Sequence, residues 1–332
     1  MECFDMGAQM AGVARFLPAT QHSNMETNAA QDIFFRTTIG ACNSEAHLRV
    51  YMQDVLGKVR EAMYEREWSN GTEKNIVAQA KICSPIAVAS VGLENIRLYY
   101  LANDNVMKEV VYISSKGWHE GEMSKLNFHV APYARMDACF LQGVNNTVRV
   151  YCQLPDNTIQ EFGWSEGSEW KKMQNLGPAM PGSAIACTSF KTSHMRLRVY
   201  FQDPDHVLKE KCWDQERGWY DGSFKVSASH HVPPRAAVAC TSYLLGHERI
   251  GISVFYAIAG SMQEVKFDGR WHEGKMEVNC IPGSEVTAIS WGSEKNLEMR
   301  VYFQKGEHVS GISEWMWTGG KWKAGKAALP PA

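Results

Sequence analysis

Arg198-Val199-Tyr200-Phe201-Gln202 decides the fold, because it is one member of a series. The same Arg-Val-Tyr-x-Gln string is found at Arg49-Val50-Tyr51-Met52-Gln53, Arg149-Val150-Tyr151-Cys152-Gln153 and Arg300-Val301-Tyr302-Phe303-Gln304. Weaker copies are Arg97-Leu98-Tyr99-Tyr100-Leu101 and Ser253-Val254-Phe255-Tyr256-Ala257. Successive copies start 48, 52, 49, 55 and 47 residues apart, a period of about 50. A glutamate follows each copy, Glu61, Glu109, Glu161, Glu210, Glu264 and Glu314, at offsets of 12, 12, 12, 12, 11 and 14. Three residues further on stands an aromatic: Tyr64, Tyr112, Trp164, Trp213, Phe267 and Trp317. A second tryptophan closes each unit, at Trp68, Trp118, Trp170, Trp219, Trp271 and Trp322. Six copies of a four-part pattern are an internal repeat.

Within each unit, short β-branched and aromatic runs alternate with turn clusters such as Asp203-Pro204-Asp205 and Pro155-Asp156-Asn157. A run of small residues precedes each string, as in Ala184-Ile185-Ala186-Cys187 and Ala237-Val238-Ala239-Cys240. Four strands of about five or six residues, with their turns, fill one period. No stretch keeps a helical spacing. The pattern predicts an all-β chain: a six-bladed β-propeller with four-stranded antiparallel blades over residues 32–332. The alanine-rich runs suit the inner strands, where blades crowd the axis. Residues 1–31 precede the pattern and are expected to be a flexible extension. Ile33-Phe34-Phe35-Arg36 is expected to supply a strand that closes the ring against the C-terminal blade.

Composition narrows the function. The 332 residues carry 34 basic and 36 acidic side chains, a net charge of −2, which argues against a nucleic-acid partner. With 45% hydrophobic and 21% charged residues the chain can bury a core. No apolar run reaches the ~18 residues of a spanning helix, so no membrane insertion is expected. The first twenty residues lack the basic-then-apolar layout of a secretion signal. Nine cysteines (3, 42, 83, 139, 152, 187, 212, 240 and 280), with no C-x-x-C, suit reduced thiols better than a disulfide framework. The expected location is cytoplasmic, or outside after release without a signal peptide, with a cell or spore surface left open. The sequons at Asn70 and Asn145 then carry little meaning. The eleven histidines, His230-His231 included, have no metal-ligand spacing, and neither metal nor cofactor is expected.

The repeated polar residues suggest a site. A turn centred about six residues after each Arg would set Arg and Glu nearly opposite each other on neighbouring strands. One reading of such a pair is a cross-strand ion pair worth up to about 1 kcal/mol. The other is a guanidinium fork beside a carboxylate, which together can donate to and accept from vicinal hydroxyls. Tryptophan between blades is often plain packing. Two aromatics at fixed distance from an Arg and a Glu also offer a stacking face for a sugar's C–H surface, with an indole N–H to spare.

Arg-Val-Tyr-Phe-Gln-Asp, Leu208-Lys209-Glu210-Lys211-Cys212-Trp213, Gly218-Trp219, Gly283-Ser284-Glu285-Val286, Ile289-Ser290-Trp291-Gly292 and the ending Ala328-Leu329-Pro330-Pro331-Ala332 resemble the fungal fucose-specific lectins of the Aleuria type. The resemblance spans residues 32–332 and all six repeats. It implies a non-catalytic six-bladed propeller that binds L-fucose and fucosylated glycans between blades, and a homodimer. It further implies that Arg and Glu of one blade bond the ring oxygen, O3 and O4, while the next blade's two aromatics cover the apolar face and C6 methyl. Carried over, Arg49 and Glu61 go with Tyr112 and Trp118, and Arg97 and Glu109 with Trp164 and Trp170. Arg149 and Glu161 face Trp213 and Trp219, Arg198 and Glu210 face Phe267 and Trp271, and Arg300 and Glu314 face Tyr64 and Trp68. Ser253 replaces the Arg of the fifth unit, so the pocket that would use Glu264, Trp317 and Trp322 is expected to stay vacant. Two extra residues around Gly306-Glu307-His308-Val309-Ser310 suggest a longer turn or bulge in the sixth.

Two other functions compete. Sialidases are also six-bladed propellers, but they repeat a Ser-x-Asp-x-Gly-x-x-Trp turn to which only Ser165–Trp170 bears faint likeness. A glycosidase needs one unique carboxylate pair, whereas this chain spreads equivalent single carboxylates over its blades. A protein-interaction scaffold would repeat Trp-Asp strand ends or paired glycines, and only Trp213-Asp214 fits.

Overall fold

In the computed structural model each repeat is one antiparallel sheet, and the six sheets follow one another along the chain. The structure describes residues 29–144, 146–226, 232–246, 248–308 and 310–331. Residues 1–28, and with them most of the expected extension, lie outside the described residues, as do Asn145 and His230-His231. Blade 1 comprises β1 (Ile39–Ser44), β2 (His47–Gln53), β3 (Lys58–Tyr64) and an outer strand split into β4 (Trp68–Asn70) and β5 (Ile76–Gln79). Blade 2 comprises β6 (Ala87–Val91), β7 (Asn95–Leu101), β8 (Met107–Ile113) and β9 (Gly117–Glu120). Blade 3 has β10 (Met136–Phe140), β11 (Thr147–Gln153), β12 (Thr158–Ser165) and β13 (Lys171–Pro178). Blade 4 has β14 (Ile185–Lys191), β15 (Met195–Gln202), β16 (Leu208–Asp214) and β17 (Gly218–Asp221). Blade 5 has β18 (Val238–Leu244), β19 (Ile250–Ile258), β20 (Ser261–Phe267) and β21 (Trp271–Asn279). Blade 6 has β22 (Val286–Trp291), β23 (Glu298–Phe303), β24 (Ser313–Thr318) and β25 (Lys321–Ala324).

The Arg-Val-Tyr-x-Gln string is the second strand of each blade, sandwiched on both faces by neighbouring blades. A strand buried on both faces reads as a continuous apolar run, and β15 is buried at six consecutive positions from Leu197 to Gln202. The inner strands β1, β6, β10, β14, β18 and β22 are neighbours in ring order, with β22 beside β1. Small side chains let them converge: Ala41, Ala89, Ala138 and Ala288 line the axial cavity together with Cys42, Cys139, Cys187 and Cys240. Hydroxyls bridge adjacent inner strands there, Thr188 to Ser242 and Thr241 to Ser290, both at 2.7 Å.

The glutamine of the string joins one blade to the next. Gln153 donates to the carbonyls of Asn157 and Met180 at 3.3 and 2.9 Å and accepts from Gly182 N at 2.8 Å. Gln202 repeats the arrangement with His206 O, Pro233 O and Arg235 N. Gln304 closes the ring, donating to Ser310 O at 2.6 Å and Phe34 O at 3.3 Å and accepting from Arg36 N at 2.5 Å. The expected closing strand is therefore absent from Ile33–Arg36. Ile33 makes a single bridge to Asp54 of blade 1, and Arg36, with φ at 62°, turns the chain away from an extended path. Closure rests on Gln304 and on Ser310, whose hydroxyl bonds Ala30 O at 2.9 Å.

Candidate functional site

Strand register sets the polar geometry. The hairpins are centred later than their spacing suggests, so it is the tyrosine of each string that lies opposite the glutamate: Tyr51 faces Glu61, Tyr151 faces Glu161 and Tyr200 faces Glu210. The arginine stands two residues back on the same face, diagonal to the glutamate. This corrects the expectation of Arg opposite Glu. In five blades the buried tyrosine hydroxyl donates to the glutamate, Tyr51–Glu61 at 2.8, Tyr99–Glu109 at 3.1, Tyr151–Glu161 at 3.0, Tyr200–Glu210 at 2.9 and Tyr302–Glu314 at 3.1 Å. Burial, more than the adjacent carboxylate, pushes the Tyr99, Tyr151, Tyr200 and Tyr302 hydroxyls well up, so they remain donors.

The other carboxylate oxygen takes backbone N–H groups of the outer strand or the turn beyond it: Met123 N to Glu109 at 3.0, Gln174 N to Glu161 at 3.3 and Lys326 N to Glu314 at 3.0 Å. Room for it comes from a glycine. A Cβ at Gly222 would stand 2.0 Å from Glu210 Oε2, and Gly121, Gly274 and Gly325 leave the same space for their glutamates. Burial still raises the Glu61 and Glu161 carboxyls above the ordinary value, partly offset by Tyr51 and Arg49 in the first and by Arg149 and Tyr151 in the third.

The next blade supplies the aromatic wall. Its tryptophan meets the string's aromatic edge-on with centroids between 5.8 and 6.3 Å: Trp118 on Tyr51, Trp170 on Tyr99, Trp219 on Tyr151, Trp271 on Tyr200, Trp322 on Phe255 and Trp68 on Tyr302. Beside it lies the second aromatic, Tyr112 at 5.6, Phe267 at 5.3 and Tyr64 at 5.4 Å from their tryptophans, with Trp213 facing Trp219 across the β16–β17 pair. Every Arg–Glu pair thus meets the aromatic pair assigned to it from sequence. The six junctions are not alike, however.

At the third, fourth and sixth junctions the arginine Nε lies 3.4, 3.9 and 3.6 Å from its glutamate, and Nη1 bonds the preceding carbonyl. Arg198 also pairs with Asp214 at 2.9 Å and Arg300 with Glu298 at 3.0 Å. At the first, Arg49 makes no direct bond to Glu61; its guanidinium reaches Glu65 at 2.7 Å. At the second, Arg97 bonds the wholly buried Glu109 at 2.7 Å and stacks with its guanidinium 3.9 Å over the Trp164 ring. Arg97 Nε and Trp170 Nε1 are left buried without partners.

The fifth junction is built differently. Gly251 lets the Tyr243 ring lie against its backbone, where a Cβ would be 2.2 Å from Cε2. The Tyr243 hydroxyl is 3.2 Å from Ser253 Oγ, which bonds Glu264 at 2.9 Å. Trp322 Nε1, Lys275 N and Met276 N donate to the other oxygen of Glu264, at 3.1, 3.0 and 3.3 Å. Glu264 is therefore satisfied from within, and Lys266 Nζ lies 4.6 Å over the Trp317 ring. The tyrosine that orients each glutamate, the glycine that makes room for it and the plug at Tyr243 had not been read as functional from sequence. The tyrosine recurs inside the string in five repeats, and the glycine follows the glutamate by 10–12 residues in four, as Gly121, Gly222, Gly274 and Gly325, so both are legible in the repeat.

A model described as fungal fucose-specific lectin matches residues 33–332. A fucose-specific lectin of Aspergillus fumigatus is 42% identical over 318 residues, covering 93% of this chain and 100% of that one. One from Aleuria aurantia is 31% identical over 301 residues, covering 85% and 90% of the two chains. Among solved structures, the SapL1 lectin in complex with alpha methyl fucoside superposes with a TM-score of 0.84 at 40% identity, covering 92% of this chain and 100% of that one. The six-bladed Aleuria aurantia lectin gives 0.76 at 26% identity, covering 91% and 98%.

Proposed function

The chain belongs to the fungal fucose-specific lectins, and on that premise we propose that it binds the terminal L-fucose of fucosylated glycans at its blade junctions without transforming it. The observation that carries this reading is the meeting of Arg, a Tyr-oriented Glu and two aromatics at one junction after another. Guanidinium donates to sugar oxygens, carboxylate accepts from vicinal hydroxyls, and the indole covers the apolar edge that ends in the C6 methyl. The pockets share no single catalytic carboxylate pair; they repeat one binding constellation. Calorimetry with L-fucose and L-galactose, which adds only a C6 hydroxyl, tests the reading. Fucose is expected to bind and L-galactose to bind poorly, because the aromatic wall would desolvate the added hydroxyl. Equal affinities would overturn it.

The reading extends to assembly and place. Several weak pockets on one molecule make it multivalent, and the family resemblance supports a homodimer, which sedimentation velocity tests. The described cysteines are all free, which supports folding in a reducing compartment, cytoplasmic or before release toward a cell or spore surface.

A further inference from the structure

The fourth junction opens into a cleft of about 560 Å³, the size of a site for several linked groups and not for one sugar ring. Arg198, Glu210, Phe267 and Trp271 form one part of its wall; Arg196, Arg217 and Arg249 stand in the remainder. Arg196 lies two residues before Arg198 on the same face of β15, and its Nε is buried with no partner. Arg217 stacks on Tyr220 with Cζ 3.8 Å from the ring centroid, which leaves its N–H edges for a ligand. Arg249 is exposed and enters from blade 5, on the opposite side of the cleft.

The balance of charge in this cleft is unusual. None of these three arginines pairs with a carboxylate among the described residues. The acids are mostly taken: Asp214 by Arg198 at 2.9 Å, Asp221 by Lys211 at 2.5 Å and Asp268 by His272 at 3.1 Å. Of the remaining carboxylates in the lining, Glu210 accepts from Tyr200 at 2.9 Å and lies 3.9 Å from Arg198, and Glu248 has no ion pair among the described residues. Arg196 also stands across the β15–β16 pair from Asp214, whose carboxyl it helps to hold down. The other repeats do not share the feature. Where Arg196 stands they have His47, Asn95, Thr147, Gly251 and Glu298, and where Arg249 stands they have Glu45, Leu93, Asn145, His194 and Asn296.

We propose that the fourth junction is a subsite for fucosylated glycans bearing an anionic group near the fucosyl end, a carboxylate or a sulfate ester, held by Arg196, Arg217 and Arg249. The proposal rests on fucose binding by Arg198, Glu210, Phe267 and Trp271. A guanidinium meets either anion with two parallel N–H bonds, and charge-assisted bonds of this kind are about twice as strong as neutral ones. The other junctions lack arginines at the Arg196 and Arg249 positions, so one site per chain gains.

Calorimetry on the full chain tests it with four ligands: methyl α-L-fucoside, a neutral fucosylated oligosaccharide, and its sialylated and its sulfated counterparts. One site per chain is expected to bind one or both anionic ligands about tenfold more tightly than the neutral one, a gain that added salt removes. The sialylated and sulfated arms tell carboxylate from sulfate. The Arg196→Gln/Arg249→Gln variant should lose the gain and keep wild-type binding of methyl α-L-fucoside. Arg249→Gln alone, at an exposed turn where folding is not at stake, should lose at least half of it. Anionic ligands binding no better than the neutral one, or a gain that survives in both variants, would overturn the subsite. Failure of the wild-type chain to bind methyl α-L-fucoside would instead overturn the fucose reading beneath it.

Discussion

Tyr151 decides how Glu161 can be used. Its hydroxyl occupies one lone pair of Oε1, Gln174 N bonds Oε2, and the lone pairs left over face the junction. Tyr151→Phe is expected to leave the fold intact and to weaken fucose at the third junction several-fold, since a hydrogen bond to a charged group is worth about 1.5–3 kcal/mol and only part of that bears on ligand. Calorimetry against the wild type checks the size; an unchanged isotherm would assign the tyrosine to packing alone. A second expectation follows from burial of the same carboxylate. Glu161 and Glu61 titrate above their ordinary value of 4.5, with burial as the leading cause. Only the ionised form accepts from two hydroxyls, so affinity at these junctions should be full at neutral pH. It should fall as pH drops through the raised value, before an ordinary exposed carboxylate would protonate. Glu161→Gln should flatten the pH profile of the third junction while lowering its affinity.

At the scale of the strand and its connections, the string has two jobs, and only one could be read from spacing. The arginine, glutamate and aromatic positions lie within one repeat, so their period exposed both the strands and the candidate sites. Apart from a bond to Asn157 O in its own turn, the glutamine acts toward the next repeat: Gln153 binds Met180 O and Gly182 N, some thirty residues on, and no spacing within its own unit reveals those partners. The same limit applies to closure: Ile33–Arg36 has strand-like composition, but its one ladder-like bond, Phe34 N to Gln53 O, runs to blade 1, and it meets the C-terminal blade through the side chain of Gln304. The hairpin centre was misplaced for a smaller reason. A shift of one residue in the turn moves every partner by two, which exchanged Tyr for Arg as the residue opposite Glu. Gln153→Ala should cost about 2–4 kcal/mol, for it removes two buried bonds and one half-buried bond and strands Gly182 N. Gln304→Ala should cost at least as much and loosen the ring where its ends meet. Thermal and denaturant unfolding measure both. Leu101 and Ala257, which replace the glutamine in blades 2 and 5, show that single junctions tolerate its loss, so neither variant should fail to fold.

Across the whole ring, six repeats have produced six unequal junctions, and the inequality predicts an order of filling. The third, fourth and sixth hold Arg near Glu with the aromatic wall uncovered, and they should fill first in a crystal soaked with rising methyl α-L-fucoside. The first should follow, because Arg49 must turn from Glu65 toward the ligand, and a pair whose carboxylate half is open to solvent resists by only about 1 kcal/mol. The second should come last. Its arginine lies on Trp164, and a ligand must displace a stacked guanidinium bonded to a wholly buried carboxylate. That closed state leaves Arg97 Nε and Trp170 Nε1 unpartnered, an omission costing about 1–3 kcal/mol each that a bound sugar would repair. The second junction should therefore open at high ligand and not stay shut. The fifth should stay empty at every concentration, since Tyr243 fills the arginine's place and Glu264 already accepts from Ser253, Trp322 and two backbone N–H groups. Ser253→Arg alone should not create a site, because the longer side chain meets the Tyr243 ring. Restoring it requires removing that ring as well, as in Tyr243→Ala/Ser253→Arg. Fucose ordered beside Ser253 in the wild-type crystal, or a third junction left empty when the second is filled, would contradict the order and the account of each pocket from which it was drawn.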